Sequence, residues 1–194
     1  DAGVPLGTIF IGYPTTKKDY IPTQTLIDLY NEKDIRLKSY FGKYHLTVSS
    51  GNAADIYFFN KYPGNEYYNA LGSETRYLNQ PKPFRIAEMY LIATEANAKI
   101  GTAAAVKKGN DALNALKKAR IEGWTDATYD QEALLNEIMN ERERELVGEG
   151  YRLMDLKRWG KGVKRGKPQS KGLVLFPGQA STDGLDKPVD DQRM

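Results

Sequence analysis

Apolar residues recur at helical spacing through the second half of the chain, from about residue 84 onward. Positions three and four apart share one face of a helix, so this spacing predicts helices that bury one side. The pattern gives four helices, over residues 84–100, 103–121, 131–147 and 151–159. Gly101, Gly148 and Gly150 separate them, because glycine readily adopts the left-handed conformation that ends a helix. Asp130 is placed to cap the third helix.

The first 80 residues are less regular and contain short elements of both kinds. Thr23 can cap a short helix over residues 24–31, and Asp34 can cap a second short turn. Two β-rich runs follow, at residues 45–49 and 55–60. We therefore predict a mainly α protein with a loop-rich, partly β N-terminal segment.

Three segments follow from these patterns. They are a loop-rich segment 1–80, a helical core 81–160 and an irregular C-terminal segment 161–194 that docks on the helices. The first two helices of the core are alanine-rich and joined by a tight turn, which is typical of a tetratricopeptide-like hairpin, although Gly109 weakens the second helix. Such a hairpin cannot bury both faces alone, so we expect the third helix to cover it.

One charged residue lies on the apolar face of the third helix. Ile138, Arg142 and Leu146 are spaced by four residues and therefore share that face. A guanidinium keeps its proton and is costly to bury unpaired, so Arg142 should be buried against a carboxylate from another element. We expect Glu95, which lies between small alanines, as its first partner and Asp155 as its second. An exposed Glu95 is the alternative.

The third helix also carries two carboxylates one turn apart, Glu141 and Glu145. Their Cβ atoms would lie about 5–6 Å apart, close to the separation of roughly 5–5.5 Å between the carboxyl groups of a retaining glycosidase. Arg142 and Arg144 interleave with them. Arginine lowers the pKa of a neighbouring carboxyl, whereas a general acid needs a raised pKa. The pattern favours structural ion pairs over catalysis.

Composition excludes several kinds of chemistry. The chain has no cysteine and one histidine, so it offers no thiol chemistry, no disulfide and no histidine- or thiolate-based metal cluster. It carries no phosphate-binding or dinucleotide-binding motif, and we expect no cofactor and no metal. The net charge of +3 is too small to indicate nucleic acid, and the basic cluster at residues 157–167 offers only Trp159 for stacking on bases. No run of about 20 apolar residues occurs, so no segment is expected to span a membrane.

Aromatic and amide side chains cluster in a loop bounded by Gly64 and Gly72. The cluster consists of Asn65, Tyr67, Tyr68 and Asn69. A tyrosine ring offers an apolar face and a hydroxyl, and the flanking amides add hydrogen-bonding groups, a combination that suits a sugar ring. We expect these four residues and Tyr13, another loop tyrosine, to bind ligand. Ordinary packing is the alternative for each.

Three motifs carry a family resemblance. The motif nearest the C-terminus is Glu141-Arg142, Glu145-Leu146, Glu149-Gly150, Arg152, Asp155-Leu156 and Arg158. The motif upstream of it is Arg85, Ala87-Glu88, Tyr90-Leu91 and Glu95-Ala96. The first motif of the chain is Ile21-Pro22, Leu29-Tyr30, Asp34, Arg36 and Tyr40-Phe41. With these motifs in this order and rough spacing over residues 20–160, the chain resembles the SusD/RagB family.

The resemblance implies a SusD-like fold and a location at the cell outer membrane. Family members are surface-exposed lipoproteins that bind glycans or oligosaccharides and pass them to a SusC-like TonB-dependent transporter without cleaving them. The family's N-terminal helical repeats and lipid-bearing cysteine are absent here, and the chain stops about where the family continues. We therefore expect the C-terminal portion of a larger protein, associated with a membrane only through a lipid anchor that this chain lacks.

Three functions compete on this basis. The first is a non-catalytic glycan-binding subunit for nutrient uptake. The second is a helical-repeat protein-interaction scaffold without sugar binding. The third is a hydrolase that uses the carboxylate pair. Sugar binding, partner binding without sugar, and turnover of a glycan distinguish the three.

Overall fold

The computed structural model describes residues 21–47, 53–63, 82–163, 166–167 and 169. In chain order the elements are α1 (Gln24–Ile27), α2 (Ile35–Tyr40), β1 (Phe41–Thr47), β2 (Ala53–Phe59), α3 (Ile86–Ile100), α4 (Ala103–Lys118), α5 (Gln131–Leu146) and α6 (Arg152–Arg158). The protein is mainly helical with a small two-stranded sheet, as the sequence pattern predicts. In the part of the chain described, no helix combines the length and the apolar character that crossing a membrane requires.

The chain forms two compact units. The helical unit consists of Leu29–Arg36 and Pro81–Arg152, and it contains α3, α4 and α5. The hairpin unit consists of Asp1–Asp28, Leu37–Gln80 and Leu153–Met194, and it contains β1 and β2.

A tight turn joins α3 to α4, as predicted. Gly101 follows the last residue of α3 with a φ of 76°, and its N–H donates to the carbonyl of Asn97. Thr102 comes next and caps α4, because its side chain accepts a hydrogen bond from the Ala105 N–H. The glycine ends one helix and the threonine begins the next, so the two helices form an antiparallel hairpin.

Side-chain caps also begin α1 and α5 where the sequence predicts them. The Thr23 hydroxyl accepts a hydrogen bond from the Leu26 N–H at 3.2 Å. The Asp130 carboxylate accepts one from the Ala133 N–H at 2.9 Å. Beyond the end of α5, Gly148 has a φ of 74° and turns the chain out of the helical direction.

The core of the helical unit contains two apolar clusters. One cluster consists of Ala87, Leu91, Leu116, Ile138 and Leu146, with Tyr151 packed against it. The other consists of Ala98, Leu113 and Leu134, with Val106, Tyr129 and Leu135 packed against it. Each cluster draws residues from α3, α4 and α5, so the third helix covers the hairpin as expected.

Gly109 has a different role from the weak point that helix propensity predicts. A Cβ atom at this position would lie 2.9 Å from Leu134 Cδ2 of α5 and 3.1 Å from the carbonyl oxygen of Thr94 in α3. Both distances are shorter than ordinary van der Waals contact. The missing side chain therefore allows α4 to approach both neighbouring helices, and this close packing outweighs the lower helix propensity of glycine.

The hairpin unit is built on a regular antiparallel ladder. Its register runs from Phe41 opposite Phe59 to Thr47 opposite Ala53, so β1 begins four residues earlier than the predicted run at 45. The side-chain amide of Gln169 completes the pairing at Tyr57. It accepts a hydrogen bond from the Tyr57 N–H at 2.8 Å and donates to the Tyr57 carbonyl at 2.9 Å. One side chain thus supplies the partners that another strand would provide.

The core assignment predicts the effect of truncating Ile138. Ile138→Ala should lower the free energy of unfolding by about 2–5 kcal/mol, because it leaves a cavity among α3, α4 and α5. Urea denaturation followed by circular dichroism measures the change. The control is Ile100→Ala, at a side chain that is 64% exposed, which should change stability by about 0.5 kcal/mol or less. Equal effects of the two substitutions would contradict the core assignment.

Candidate functional site

Buried charge is concentrated where the segment Leu29–Arg36 meets α5 in the helical unit. Arg36 is 1% exposed. Its Nε and Nη2 donate to the two carboxylate oxygens of Asp34 at 2.9 and 2.8 Å. Its Nη1 donates to Glu141 Oε1 at 2.6 Å and to Glu145 Oε2 at 3.0 Å. One guanidinium therefore joins α5 to a segment more than 100 residues away in sequence.

Glu145 accepts hydrogen bonds from three arginines. Besides Arg36, Arg120 reaches it through Nε at 3.0 Å and through Nη2 at 3.1 Å. Arg85 donates from Nη1 to Glu145 Oε1 at 2.8 Å and from Nη2 to the Glu145 main-chain carbonyl at 3.0 Å. Arg85 precedes α3 and Arg120 follows α4, so this carboxylate ties both helices to α5.

Glu141 and Arg144 extend the same network along α5. Arg144 Nε donates to Glu141 Oε2 at 2.8 Å, and its Nη2 also pairs with Glu137. Lys117 of α4 reaches Glu137 at 2.6 Å. The Tyr30 hydroxyl donates to the Arg144 carbonyl at 2.8 Å. The network therefore runs from α4 through α5 to the segment Leu29–Arg36.

These side chains form what we call the ionic cluster, and its charges balance. Its cationic members are Arg36, Arg85, Lys117, Arg120 and Arg144. Its anionic members are Asp34, Glu137, Glu141, Glu145 and Glu149, the last paired with Arg85 at 2.7 Å. Burial of charge is tolerated when each charge has partners, and among the described residues no buried side-chain nitrogen or oxygen lacks one.

The arginines control the ionisation of both central carboxylates. Burial by itself would raise the pKa of Glu145, but the hydrogen bond from Arg120 and the charges of Arg120, Arg36 and Arg85 outweigh it and lower the pKa to about 2. Burial likewise opposes ionisation of Glu141, yet the charges of Arg36 and Arg144 hold its pKa below the ordinary value. Both groups are therefore bound carboxylates at neutral pH. This state is suited to ion pairing and unsuited to proton donation.

Glu143 has a different environment on the same helix. Burial raises its pKa, against the lowering effect of the Arg152 and Arg144 charges. Its Oε2 lies 2.6 Å from Arg152 Nη2, and the Arg152 side chain is 45% exposed. A carboxyl with a raised pKa is the kind that could act as an acid, and this distinguishes Glu143 from the pair Glu141 and Glu145 on which the hydrolase hypothesis rests.

The predicted ion-pair residues are all buried. Arg142 is 5% exposed, as its place on the apolar stripe predicts, and Glu95 and Asp155 are equally inaccessible. Glu95 forms an ion pair with Lys99 of its own helix at 3.0 Å. Within α6, Asp155 accepts a hydrogen bond from Arg158 at 2.9 Å. The pairing of Arg142 with Glu95 or Asp155 stays a prediction.

The predicted ligand residues lie outside the described part of the chain. They are Tyr13, Asn65, Tyr67, Tyr68 and Asn69. The sugar-binding prediction for them therefore rests on the sequence alone.

Sequence reasoning did not single out Arg36 as a buried ion-pair residue, and it also missed Lys117, Arg120 and Glu137. Arg142 stood out because it interrupts an apolar stripe, whereas Arg36 lies in a polar stretch with no such stripe around it. The available signal was the Asp34-x-Arg36 spacing inside the first family-like motif. That spacing lets the aspartate hold the guanidinium with two hydrogen bonds while the remaining nitrogen faces α5.

Comparison with known protein families identifies the family of this chain. A family model described as the SusD family matches residues 41–188. The match spans most of the chain and includes the carboxylates and arginines of α5. The chain belongs to the SusD family. No curated protein matches the chain significantly.

Solved structures give the same fold. A SusD-like carbohydrate binding protein from Bacteroides vulgatus matches with a TM-score of 0.54 and 26% identity, over 76% of this chain and 30% of that protein. A SusD superfamily protein from Bacteroides fragilis matches with a TM-score of 0.57 and 22% identity, over 82% of this chain and 32% of that protein. This SusD-family chain thus spans less than a third of the length of these two solved proteins.

Removing Arg36 should destabilise the SusD-family fold strongly. Arg36→Met leaves three buried carboxylates without their shared cation, and breaking a buried ion pair costs roughly 3–5 kcal/mol. Urea denaturation measures the loss. The matched control is Arg152→Met, because the Arg152 side chain is exposed and its partner Glu143 is only half-buried, and pairs near the surface contribute roughly 0–1 kcal/mol. An Arg36→Met protein as stable as the control would show that the cluster is not structural.

The lowered pKa of Glu145 predicts acid sensitivity of a defined kind. A carboxyl whose pKa is lower in the folded than in the unfolded protein stabilises the fold above its unfolded pKa, and that stabilisation is lost as pH falls towards the folded value. For Glu145 the window runs from the ordinary 4.5 down to about 2. Free energies of unfolding measured between pH 7 and pH 2 should fall inside this window. At pH 7 the free energy of unfolding of Glu145→Gln should be lower than that of the wild type. Between pH 7 and pH 2 it should decrease by up to about 3 kcal/mol less than that of the wild type. If the free energies of unfolding of the wild type and Glu145→Gln decrease in parallel with pH, Glu145 is not the source of the acid sensitivity.

Proposed function

We propose that this protein is a non-catalytic subunit that binds glycans or oligosaccharides at the cell surface. Membership of the SusD family carries the proposal, and the solved relative at 26% identity is a SusD-like carbohydrate binding protein. Within the family assignment, the protein would deliver its ligand to a TonB-dependent outer-membrane transporter and would sit at the outer membrane as a surface lipoprotein.

The chemistry of the ionic cluster supports binding without turnover. A retaining glycosidase needs one ionised carboxylate and one carboxyl that still holds its proton. Glu141 and Glu145 both have lowered pKa values, and both are held by arginines. Arginines bind both oxygens of each carboxylate, and an ionised carboxylate has no proton to donate to a leaving group. The pair is therefore structural, and the function proposed for the protein includes no covalent step.

The proposed sugar contacts are the aromatic and amide side chains of the loop. Tyr67 or Tyr68 would stack on a sugar ring, and Asn65 and Asn69 would hydrogen-bond to its hydroxyls. Adjacent residues of an extended segment point to opposite sides, so one tyrosine would face the sugar and the other would pack inward. Tyr13 would add a further aromatic contact.

A second function, a helical-repeat interaction scaffold, is favoured by one side of α3. Ile86 and Ile100 are 80% and 64% exposed, and Met89 and Tyr90 are also exposed. The helical periodicity places Ile86, Met89 and Ile100 on the side opposite Leu91, which is fully buried, with Tyr90 at the flank of that side. Contiguous exposed apolar patches are typical of protein interaction sites.

Titration of the whole protein with its glycan distinguishes the two functions. A glycan array first identifies the ligand, and isothermal calorimetry then compares the wild type with Tyr67→Ala and Tyr68→Ala. One of the two variants should weaken binding about threefold to tenfold, the equivalent of roughly 0.7–1.4 kcal/mol for a lost aromatic contact. The other variant should bind like the wild type.

The control for this titration is Tyr90→Ala, an exposed tyrosine on α3. It should leave glycan affinity unchanged. Sugar binding that neither loop variant affects would remove the loop from the proposal. Absence of any glycan binding, together with a protein partner lost in Tyr90→Ala, would establish the scaffold instead. Release of reducing sugar by the wild type, lost in Glu141→Gln or Glu145→Gln, would establish a hydrolase that uses the carboxylate pair.

A further inference from the structure

The connection between α4 and α5 is held by a ladder of asparagine side chains. Asn114 Nδ2 donates to the Ala127 carbonyl at 2.8 Å, and its Oδ1 accepts from the Ala127 N–H at 3.0 Å. Asn110 makes the same two bonds to Tyr129, at 2.9 Å to the carbonyl and 2.8 Å from the N–H. Each asparagine therefore pairs with both backbone groups of one residue, as a neighbouring strand would.

The spacing of the ladder follows from helix and strand geometry. Asn110 and Asn114 are four residues apart on α4, which at a rise of 1.5 Å per residue separates them by about 6 Å. Ala127 and Tyr129 are two residues apart in an extended segment, which at about 3.3 Å per residue separates them by roughly 6.6 Å. The two repeats match, so successive rungs can form without strain. The segment runs antiparallel to α4.

Aromatic residues at both ends of this segment contact α4. Trp124 Nε1 donates to Asn114 Oδ1 at 3.0 Å. Lys117, which is 3% exposed, has its Nζ 4.6 Å from the Trp124 ring centre and 5.5 Å from the Tyr129 ring centre. The same ammonium group binds Glu137 of α5 at 2.6 Å. The cation thus links the segment to the ionic cluster through both rings.

We propose that residues 124–130 form a strap. Side chains of α4 bind the backbone of this strap, and its closure on α4 sets where α5 begins. Asp130 follows Tyr129 directly and caps α5 through the Ala133 N–H. When Asn110 fixes Tyr129, it also fixes this cap. The carboxylates of α5 then reach the arginines only in the register that the strap defines. The strap is a conformational device that positions one helix by closing on another.

Recognition through the backbone leaves three side chains of the strap free to vary. Thr125, Asp126 and Thr128 are exposed. Asp126 makes only a surface ion pair, with Lys118 at 2.7 Å, and such pairs contribute little. The two rungs depend on the asparagines of α4 and on the peptide groups of residues 127 and 129. Substitution at 125 or 128 should therefore leave the strap closed.

Amide hydrogen exchange measured by NMR on the 194-residue chain tests the strap residue by residue. In the wild type the amides of Ala127 and Tyr129 should exchange about tenfold more slowly than those of Asp126 and Thr128, because exchange requires opening of a rung. Asn114→Ala should remove the protection of Ala127, and Asn110→Ala that of Tyr129. Asn110→Ala should also speed exchange at Ala133, where α5 is capped.

Two control variants make the test selective. Asn97→Ala removes the same chemical group from α3, where its Nδ2 donates to the Ala93 carbonyl, and it should change none of these amides. Thr128→Ala should leave both rungs protected. If the asparagine variants fail to fold, the wild-type pattern and Thr128→Ala still decide the matter. Similar exchange at all four strap amides in the wild type would overturn the proposal. So would loss of both rungs in Thr128→Ala.

Discussion

The helical unit depends on one buried guanidinium. Arg36 cannot give up its proton, and the interior around it offers little solvation, so carboxylates must surround it. Asp34 supplies one carboxylate from the same segment, and Glu141 and Glu145 supply two from α5. This requirement fixes the position of Leu29–Arg36 on α5. It also leaves Glu145 with unfilled acceptor positions, which Arg85 and Arg120 occupy from the ends of α3 and α4.

We expect such a cluster to contribute to structural specificity more than to stability. Replacing a complete buried ion pair by apolar residues is often neutral, but removing one partner leaves a charge without compensation. The balanced set of cations and anions is therefore all-or-none: each member is tolerated because the others are present. The same balance keeps Glu141 and Glu145 ionised and engaged. That state agrees with the proposed binding of a ligand without cleavage.

The close packing of the helices and the pairing of the strap with α4 both favour the position of α5 that the buried ion pairs require. Gly109 allows α4 to approach α3 and α5 closely, which brings Lys117 within reach of Glu137. The strap fills the side of α4 where Asn110 and Asn114 would otherwise bury unpaired amides. Apolar packing, backbone pairing and ionic pairing therefore agree on one register for α5, and this consistency is what specifies a single structure.

The sequence by itself determined the elements and much of the chemistry. Gly101 and Asp130 mark helix ends because capping acts within a single turn, and the four-residue spacing of Ile138 and Arg142 predicts a buried charge because helix faces are a local property. The tertiary structure decided which charges meet. Arg36 and Glu141 are 105 residues apart, and the local sequence around either residue does not identify the other as its partner. Gly109 is a second example of what local sequence leaves open. A glycine within a helix indicates a weak point, and only the neighbouring helices show why a side chain cannot fit there. Local periodicity determines elements, whereas the partner of a buried charge depends on how those elements meet in space.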